Sequence, residues 1–169
     1  EPLAFATRKA IALLAYLVLE PGVHPRDVLA ALFWPGSSAS SSHGALRYTL
    51  HTLKRSIGEQ WLVSDRWNIG LVESEGLTCD VIQFGACLQS TTSHAHAAGE
   101  VCWHCRPLLQ RAAALYRGDF MQGFTLDGSS QFDEWQRFHD LTLRDAQGGV
   151  LDRLVQIESA ESDWDQAIT

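Results

Sequence analysis

The sequence SSSHGALRYTLHTLKRSIG, residues 40–58, has the period of an α-helix. Leu46, Leu50, Leu53 and Ile57 recur at intervals of four, three and four residues, which places them on one stripe of the helix. The serines before the stripe can cap the first turn, and Gly58 suits the position that follows the last one. The stretch therefore predicts an amphipathic helix with a purely aliphatic buried face.

The opposite face of this helix is basic. It carries three permanent cations, two imidazoles and a tyrosine, with no carboxylate between Gly36 and Gly58. This composition is typical of a DNA recognition helix. Taken alone, such a pattern is also typical of an amphipathic helix whose polar face is merely solvated. The neighbouring elements therefore have to distinguish a recognition helix from a solvated one.

The elements around the basic helix predict a winged helix. A helix is expected over residues 8–19, with Thr7 as its cap, and a second over residues 26–33, with Pro25 at its first turn. After Gly58 the pattern changes to period two over residues 61–63 and 67–72, which predicts a β-hairpin. Three helices followed by a hairpin, the third helix being basic, is the order of a winged helix, although a purely structural domain has the same elements.

Charge is distributed unevenly along the chain. The 169 residues carry a net charge of −7, which taken whole argues against a nucleic-acid partner. Residues 1–75 are neutral, with seven Lys and Arg and seven Asp and Glu, whereas residues 76–169 hold six Arg and thirteen Asp and Glu. The asymmetry favours a first half that faces phosphate and a second half that faces a protein.

The second half is predicted to be helical. Helices are expected over residues 80–88, 107–116, 131–146 and 150–157, with Gly148 and Gly149 loosening the junction between the last two. Phe132, Trp135, Phe138 and Leu141 are expected to point inward, and residues 120–124 to form an apolar turn that packs as a plug. Paired helices of this length suggest a repeat architecture, in which the last seven residues would open a further repeat.

The predicted fold class is mainly α, a winged helix-turn-helix with a β-hairpin wing (residues 1–75) followed by a TPR-like all-α helical repeat domain (residues 76–169). No apolar run approaches the ~20 residues that cross a bilayer, so we expect a soluble, cytoplasmic protein. No phosphate loop, G-x-S-x-G or H-E-x-x-H motif is present, and we expect no enzymatic activity.

One cluster predicts a metal site. His94, His96, Cys102 and Cys105 can supply two imidazoles and two thiolates to a tetrahedral zinc ion. Four protein ligands leave no open position, so such a zinc would be structural. Unpaired thiols and solvated histidines in a loop are the equally weighted alternative.

Several motifs together resemble those of a bacterial activator family. The runs are FATRKAIALLAYL at residues 5–17, LFWPG at 32–36, ALR and LKR at 45–47 and 53–55, ALYRGDFMQGF at 114–124 and FDEW at 132–135. In this order they resemble the antibiotic-regulatory-protein (SARP) type of activator, including its bacterial transcriptional activation domain (BTAD). The resemblance covers nearly the whole chain. It implies an OmpR-like winged helix fused to a TPR-like domain that binds promoter DNA and assists RNA polymerase.

The resemblance also implies parts that this chain lacks. That winged helix begins with several antiparallel strands, of which only residues 3–5 could belong to the last. The activation domain normally runs through further repeats beyond Thr169. We therefore expect the chain to be trimmed at both ends.

These observations predict a transcriptional activator that reads double-stranded promoter DNA with its third helix. Arg47, His51 and Arg55 are expected at base edges, and Tyr48, Thr52 and Lys54 at the backbone. The predicted DNA-binding residues are His43, Arg47, Tyr48, His51, Thr52, Lys54, Arg55 and, at the hairpin tip, Arg66. The acidic half would contact RNA polymerase or a second protomer, making a homodimer. The alternative is a protein-interaction scaffold whose winged helix is structural.

Overall fold

The structure is a computed structural model that describes Phe5 and residues 7–72, 79–93 and 102–167, with side chains up to residue 161. These residues form a mainly helical protein with one small antiparallel sheet, as the sequence predicts. The elements are α1 (Arg8–Leu19), β1 (Val23–Pro25), α2 (Arg26–Phe33), α3 (Ala39–Ile57), β2 (Leu62–Ser64), β3 (Asn68–Leu71), α4 (Asp80–Thr91), α5 (Arg106–Leu115) and α6 (Ser130–Ala167). No helix in this part of the chain is long and apolar enough to cross a bilayer.

The chain divides into two compact units. The first comprises Glu1–Leu77 and Gly123–Gln136, and the second comprises Thr78–Gln122 and Arg137–Thr169. Helix α6 therefore contributes its first turns to the first unit and its remainder to the second. Residues 123–136 were predicted to belong to the second domain, whereas in the structure they belong to the first unit.

The first unit is built on α1, α2 and α3. Helix α1 begins as predicted, because the Thr7 hydroxyl accepts a hydrogen bond from the Ala10 amide at 3.1 Å. The largest side chains that these helices bury completely or almost completely are Leu13, Leu17, Leu29, Phe33, Leu46 and Leu53. Each helix thus gives one apolar stripe to a common core, and α3 is held against the other two.

A three-stranded sheet closes the first unit, in the order β1-β3-β2. The hairpin of β2 and β3 confirms the prediction for residues 61–72. Strand β1 was not predicted, because three residues are too few for a period to show. It pairs with β3 through Val23 and Gly70, and the adjacent Ile69 is completely buried. Of the strand expected at residues 3–5, Leu3 and Ala4 lie outside the described residues.

Aromatic packing explains why residues 123–136 belong to the first unit. The Phe132 ring is completely buried and lies 5.5 Å from Phe33 and 5.1 Å from Trp135, measured between centroids. The Trp135 indole donates a hydrogen bond to Glu20 at 2.8 Å, and the Ser129 hydroxyl donates one to the Leu32 carbonyl at 2.6 Å. These contacts bring a distant segment onto α1 and α2.

The second unit consists of α4, α5 and the rest of α6. Its core is formed by Phe84 and Cys87 of α4, Leu109 and Ala112 of α5, and Val150 and Ile157 of α6, together with Cys105. On its surface, Arg144 forms ion pairs with Asp119 at 2.5 Å and Asp140 at 3.1 Å. Asp140 also accepts a hydrogen bond from the Phe120 amide at 3.0 Å, which fixes the turn that follows α5.

Helix α6 corrects three expectations. It runs without interruption through Gly148 and Gly149 and on to Ala167, so residues 150–157 are not a separate helix and residues 163–167 continue the same helix. Phe138 and Leu141 are 65% and 59% exposed instead of inward. The buried face of the helix follows Val150 and Ile157, seven residues apart, and Phe138 and Leu141 lie outside it.

Candidate nucleic-acid interface

Helix α3 has defined ends. Its cap is Ser38, whose hydroxyl accepts a hydrogen bond from the Ser41 amide at 3.3 Å. The three serines at residues 40–42, which precede the leucine stripe, are already helical. At the other end Gly58 adopts φ 100°, and its amide donates to the Lys54 carbonyl at 2.9 Å. The predicted glycine stop is confirmed.

The buried face of α3 is wider than its leucine stripe. Leu46, Leu50 and Leu53 are buried, as predicted. Thr52 is also buried, with 8% of its surface exposed, and its hydroxyl donates a hydrogen bond to the Thr49 carbonyl at 2.8 Å. The placement of Thr52 on the exposed face is therefore wrong, because the core extends further around this helix than the stripe indicates.

The exposed face of α3 brings together four of the predicted residues. Arg47, Tyr48, His51 and Arg55 are all exposed, and the tyrosine is 61% exposed. Their spacings of one, three and four residues place them side by side on one surface. This surface offers two guanidinium groups, an imidazole and a phenol to a ligand. Lys54 is half-buried at its edge.

His43 is only partly available at the start of the helix. It is half-buried, and its Nε2 lies 2.8 Å from Oδ1 of Asp27 in α2. The prediction treated His43 as a solvent-facing residue, whereas one of its ring nitrogens is engaged within the first unit. The contact ties the first turns of α3 to the first turn of α2.

Arg26, next to Asp27, ties α2 to the hairpin. Its side chain donates hydrogen bonds to the Asp65 carbonyl at 2.9 Å and to the Ser64 hydroxyl at 2.8 Å, and its amide donates to the Trp67 carbonyl at 2.8 Å. Arg26 was not among the predicted functional residues, because its position in a first helical turn does not indicate a contact with the distant hairpin. Consecutive residues of α2 thus contact both α3 and the hairpin turn.

The hairpin turn is rigid at the position of Asp65. Its carboxylate accepts hydrogen bonds from the amides of Trp67 and Asn68, each at 2.6 Å. These backbone hydrogen bonds, with that of Asn68 the stronger influence, lower the pKa of the Asp65 carboxyl below its usual value. An Asp at this position is a common way to fix a turn.

Arg66 and Trp67 form the exposed tip of the hairpin. The Arg66 guanidinium lies 4.8 Å from the centroid of the Trp67 ring, and the ring is 66% exposed. Stacking orders the cation without neutralising it, since the ring face attracts positive charge weakly. Trp67 therefore lies on the surface of the first unit beside Arg66.

The two cations of α1 are engaged elsewhere in the first unit. Arg8 donates to the Thr125 carbonyl at 2.8 and 3.0 Å and lies 4.5 Å from the Phe124 ring centroid. Lys9 donates to the Phe33 carbonyl, and burial lowers the pKa of its ammonium group. Arg8 is exposed but hydrogen-bonded, and the other exposed cations among the described residues of this unit are Arg47 and Arg55 of α3 and Arg66 at the hairpin tip.

The predicted zinc site can be followed only in part. His94 and His96 lie outside the described residues, while Cys102 and Cys105 are both described and in hydrogen-bond contact. Burial, followed by the hydrogen bond from Cys102, raises the pKa of the Cys105 thiol. Within the described ranges, no group of three or more His, Cys, Asp or Glu side chains is arranged to hold a metal ion. Zinc at this position stays a prediction.

Comparison with known proteins adds no identification. No protein-family model matches the chain. No curated protein matches it either.

Proposed function

We propose that this protein is a sequence-specific DNA-binding transcriptional regulator, an activator that reads promoter repeats with α3. The observation that carries the proposal is the exposed face of Arg47, Tyr48, His51 and Arg55 on a helix whose other face is buried. Arginine is the side chain most often used to read guanine, and it also binds phosphate.

The order of elements supports a winged helix in the first unit. Helix α1, strand β1, helices α2 and α3 and the β2–β3 hairpin follow one another along the chain. In such a domain the recognition helix enters the major groove and the wing contacts the adjacent backbone or minor groove. Arg66 at the hairpin tip would make the second contact.

The contacts of α2 support a joint surface. Asp27 contacts His43 at the start of α3, and Arg26 contacts Ser64 and Asp65 in the hairpin turn. Because two consecutive residues of α2 hold α3 and the hairpin turn, the spacing between helix and wing is set before DNA binds, which reduces the entropy lost on binding.

The acidic half is proposed to bind protein. Residues 76–169 carry the whole excess of negative charge, which disfavours contact with DNA there. RNA polymerase or a second protomer are the partners that fit an activator. A single recognition helix reads few base pairs, so two copies on repeated half-sites would provide the specificity.

A second candidate function is a protein-interaction scaffold whose first unit is structural. The observation that favours it is the exposure of apolar side chains on α6. Phe138, Leu141, Leu151 and Val155 are between 47% and 65% exposed. Exposed apolar groups on one element indicate a surface for a partner.

Fluorescence anisotropy with promoter DNA from the gene neighbourhood of the protein, at two salt concentrations, tests the proposal. We expect tighter binding than to a scrambled duplex of the same composition, and weaker binding as salt rises. Replacing Arg47 and Arg55 together by Ala should reduce affinity by at least tenfold, since each good arginine contact to a base contributes about 1–3 kcal/mol. Arg117→Ala, which removes one positive charge from an exposed residue of the second unit, is the matched control for each of the single replacements Arg47→Ala and Arg55→Ala.

The outcomes separate the two functions. Selective, salt-sensitive binding that is lost in the double variant and kept in Arg117→Ala supports the regulator. Binding that is equal for both duplexes, or equally weakened by all three replacements, would reject the α3 face as a reader of DNA. The scaffold would then be the better description of this chain.

A further inference from the structure

Two cysteines of the second unit are in contact where α5 begins. Cys105 is the residue that precedes the first turn of α5, and it is completely buried. Cys102 lies three residues earlier and is half-buried, and its side chain is hydrogen-bonded to the Cys105 thiol. The Cys105 amide donates to the Cys102 carbonyl at 3.0 Å, so a closed turn sets their spacing. Neither is in a disulfide.

Three helices meet at this pair. The Cys105 Sγ lies 3.7 Å from the carbonyl oxygen of Thr91, the last residue of α4. The Thr91 hydroxyl accepts a hydrogen bond from Arg153 of α6 at 2.8 Å, and the Arg153 charge acts on Cys105. Burial raises the pKa of the Cys105 thiol, and the Arg153 cation and the helix N-terminus act in the opposite direction, because both favour negative charge on sulfur.

We propose that Cys102 and Cys105 are a redox-active dithiol that low-molecular-weight disulfides, such as glutathione disulfide, oxidise to an intramolecular disulfide. The Cys102 thiolate attacks one sulfur of glutathione disulfide and releases the first glutathione thiolate. Cys105 then attacks the Cys102 sulfur of the mixed disulfide and releases the second. The chain loses two hydrogens, and one glutathione disulfide becomes two glutathione molecules.

The difference in burial assigns these roles. Half-buried Cys102 can be reached by a small disulfide, whereas buried Cys105 cannot. Cys105 is therefore the resolving thiol, protected from further oxidation, and Cys102 is the attacking one. The reaction of an accessible thiol followed by a buried one needs no metal, and it does not depend on DNA binding.

Oxidation should change the contacts at the end of α4. A disulfide draws the two sulfurs to about 2.05 Å and removes the hydrogen bond that the Cys105 thiol donates to the Thr91 carbonyl. The last turn of α4 would then lose one of its contacts to the start of α5. We expect faster amide exchange over residues 88–93 in the oxidised protein than in the reduced protein.

Peptide mapping of the full chain tests the proposal. The reduced protein is treated with glutathione disulfide, alkylated, and digested with chymotrypsin, which can cleave after Trp103 between the two cysteines. We expect the two fragments to stay joined and to separate after treatment with dithiothreitol. Cys102→Ser should abolish the link. Cys79→Ser, which changes another half-buried cysteine, should leave it intact.

Two results would overturn the proposal. The first is a glutathione adduct on Cys102 that persists without a link to Cys105. The second is one zinc ion per purified chain that a chelator removes and that Cys102→Ser fails to bind, because the two thiolates would then be metal ligands. Both are measured on the same preparation, by mass spectrometry and with a chromophoric chelator.

Discussion

Asp27 of α2 and His43 of α3 are in contact, with 2.8 Å between Oδ1 and Nε2. The Asp27 side chain is 87% exposed, so a carboxylate lies at the start of the helix that otherwise offers cations. A negative charge beside a phosphate-binding surface opposes non-specific binding to DNA. The pair thus links two helices, and under the proposed function the Asp27 carboxylate would weaken the binding of α3 to DNA of the wrong sequence.

The first prediction tests this role with Asp27→Asn, which keeps an acceptor for His43 and removes the charge. We expect a scrambled duplex to be bound several-fold more tightly at low salt, because affinity for random DNA follows charge. The free energy of unfolding should change by less than about 1 kcal/mol, since exposed ion pairs contribute little. Anisotropy and chemical denaturation measure the two quantities.

Asp152→Asn, which makes the same change on the exposed surface of α6, is the control for Asp27. If both variants bind the scrambled duplex equally tightly, the carboxylate of Asp27 is not close to the DNA.

The second prediction concerns the pH dependence of the hairpin turn. The pKa of Asp65 is lowered in the folded protein by the amides of Asn68 and Trp67. The stabilisation of the turn is therefore complete above the unfolded pKa of about 3.9 and is lost as the pH falls through the lower, folded value. The carboxyl carbon shift of Asp65 and the amide exchange of Trp67 and Asn68, followed by NMR between neutral and acid pH, check this.

Two variants separate charge from hydrogen bonding at this position. Asp65→Asn keeps a side-chain acceptor and should keep the turn protected at neutral pH, without the acid transition. Asp65→Ala should expose both amides to exchange at every pH. Equal protection in the Ala variant would show that the carboxylate does not hold the turn.

The third prediction compares two phenylalanines of α6. Phe132 is completely buried among the aromatic side chains of the first unit, whereas Phe138 is 65% exposed. Phe132→Ala should lower the free energy of unfolding by about 3–5 kcal/mol, because it leaves a cavity. Phe138→Ala should change it by about 0.5 kcal/mol or less. Chemical denaturation followed by tryptophan fluorescence measures both, and similar losses would contradict the assignment of residues 123–136 to the first unit.

The fourth prediction uses the glycines of α6. Gly148 and Gly149 are helical, and a Cβ at either position would meet open space. Gly148→Ala and Gly149→Ala should each raise the free energy of unfolding by about 0.5–1 kcal/mol, because alanine loses less conformational entropy in a helix. Thermal denaturation gives the change.

Gly58→Ala, at the end of α3, should lower the free energy of unfolding instead of raising it. This residue has φ 100°, where a side chain is strained, so a loss of about 1–3 kcal/mol is expected. A loss of stability in the two α6 variants would mean that the helix needs a break there, as the sequence suggested.

Local signals allowed much of the first unit to be predicted. The cap at Thr7, the stop at Gly58 and the period of residues 61–72 depend on neighbouring residues only, and all three are found. The four exposed residues of α3 were predicted for the same reason, since a helical period fixes which side chains share a face. Whether they bind DNA is a matter for the experiments above.

The errors arose where partners are distant in sequence. Thr52 is buried because the core reaches further around α3 than its leucines indicate. His43 contacts a residue of another helix, and Arg26 contacts a hairpin turn 38 and 39 residues away. The hydrophobic period of a helix or strand cannot predict such contacts, because it describes only that one element.

The sequence by itself determined that the chain forms an amphipathic basic helix among other helices, with a hairpin after it, because hydrophobic period, caps and turn residues act over a few positions. Only the tertiary structure decided which residues pack into which unit. Phe132 joins α1 and α2, and Gly148 and Gly149 are tolerated inside one continuous helix. The physical reason is that burial against distant side chains outweighs the local preference of one or two residues, and the sequence does not state which distant side chains will meet.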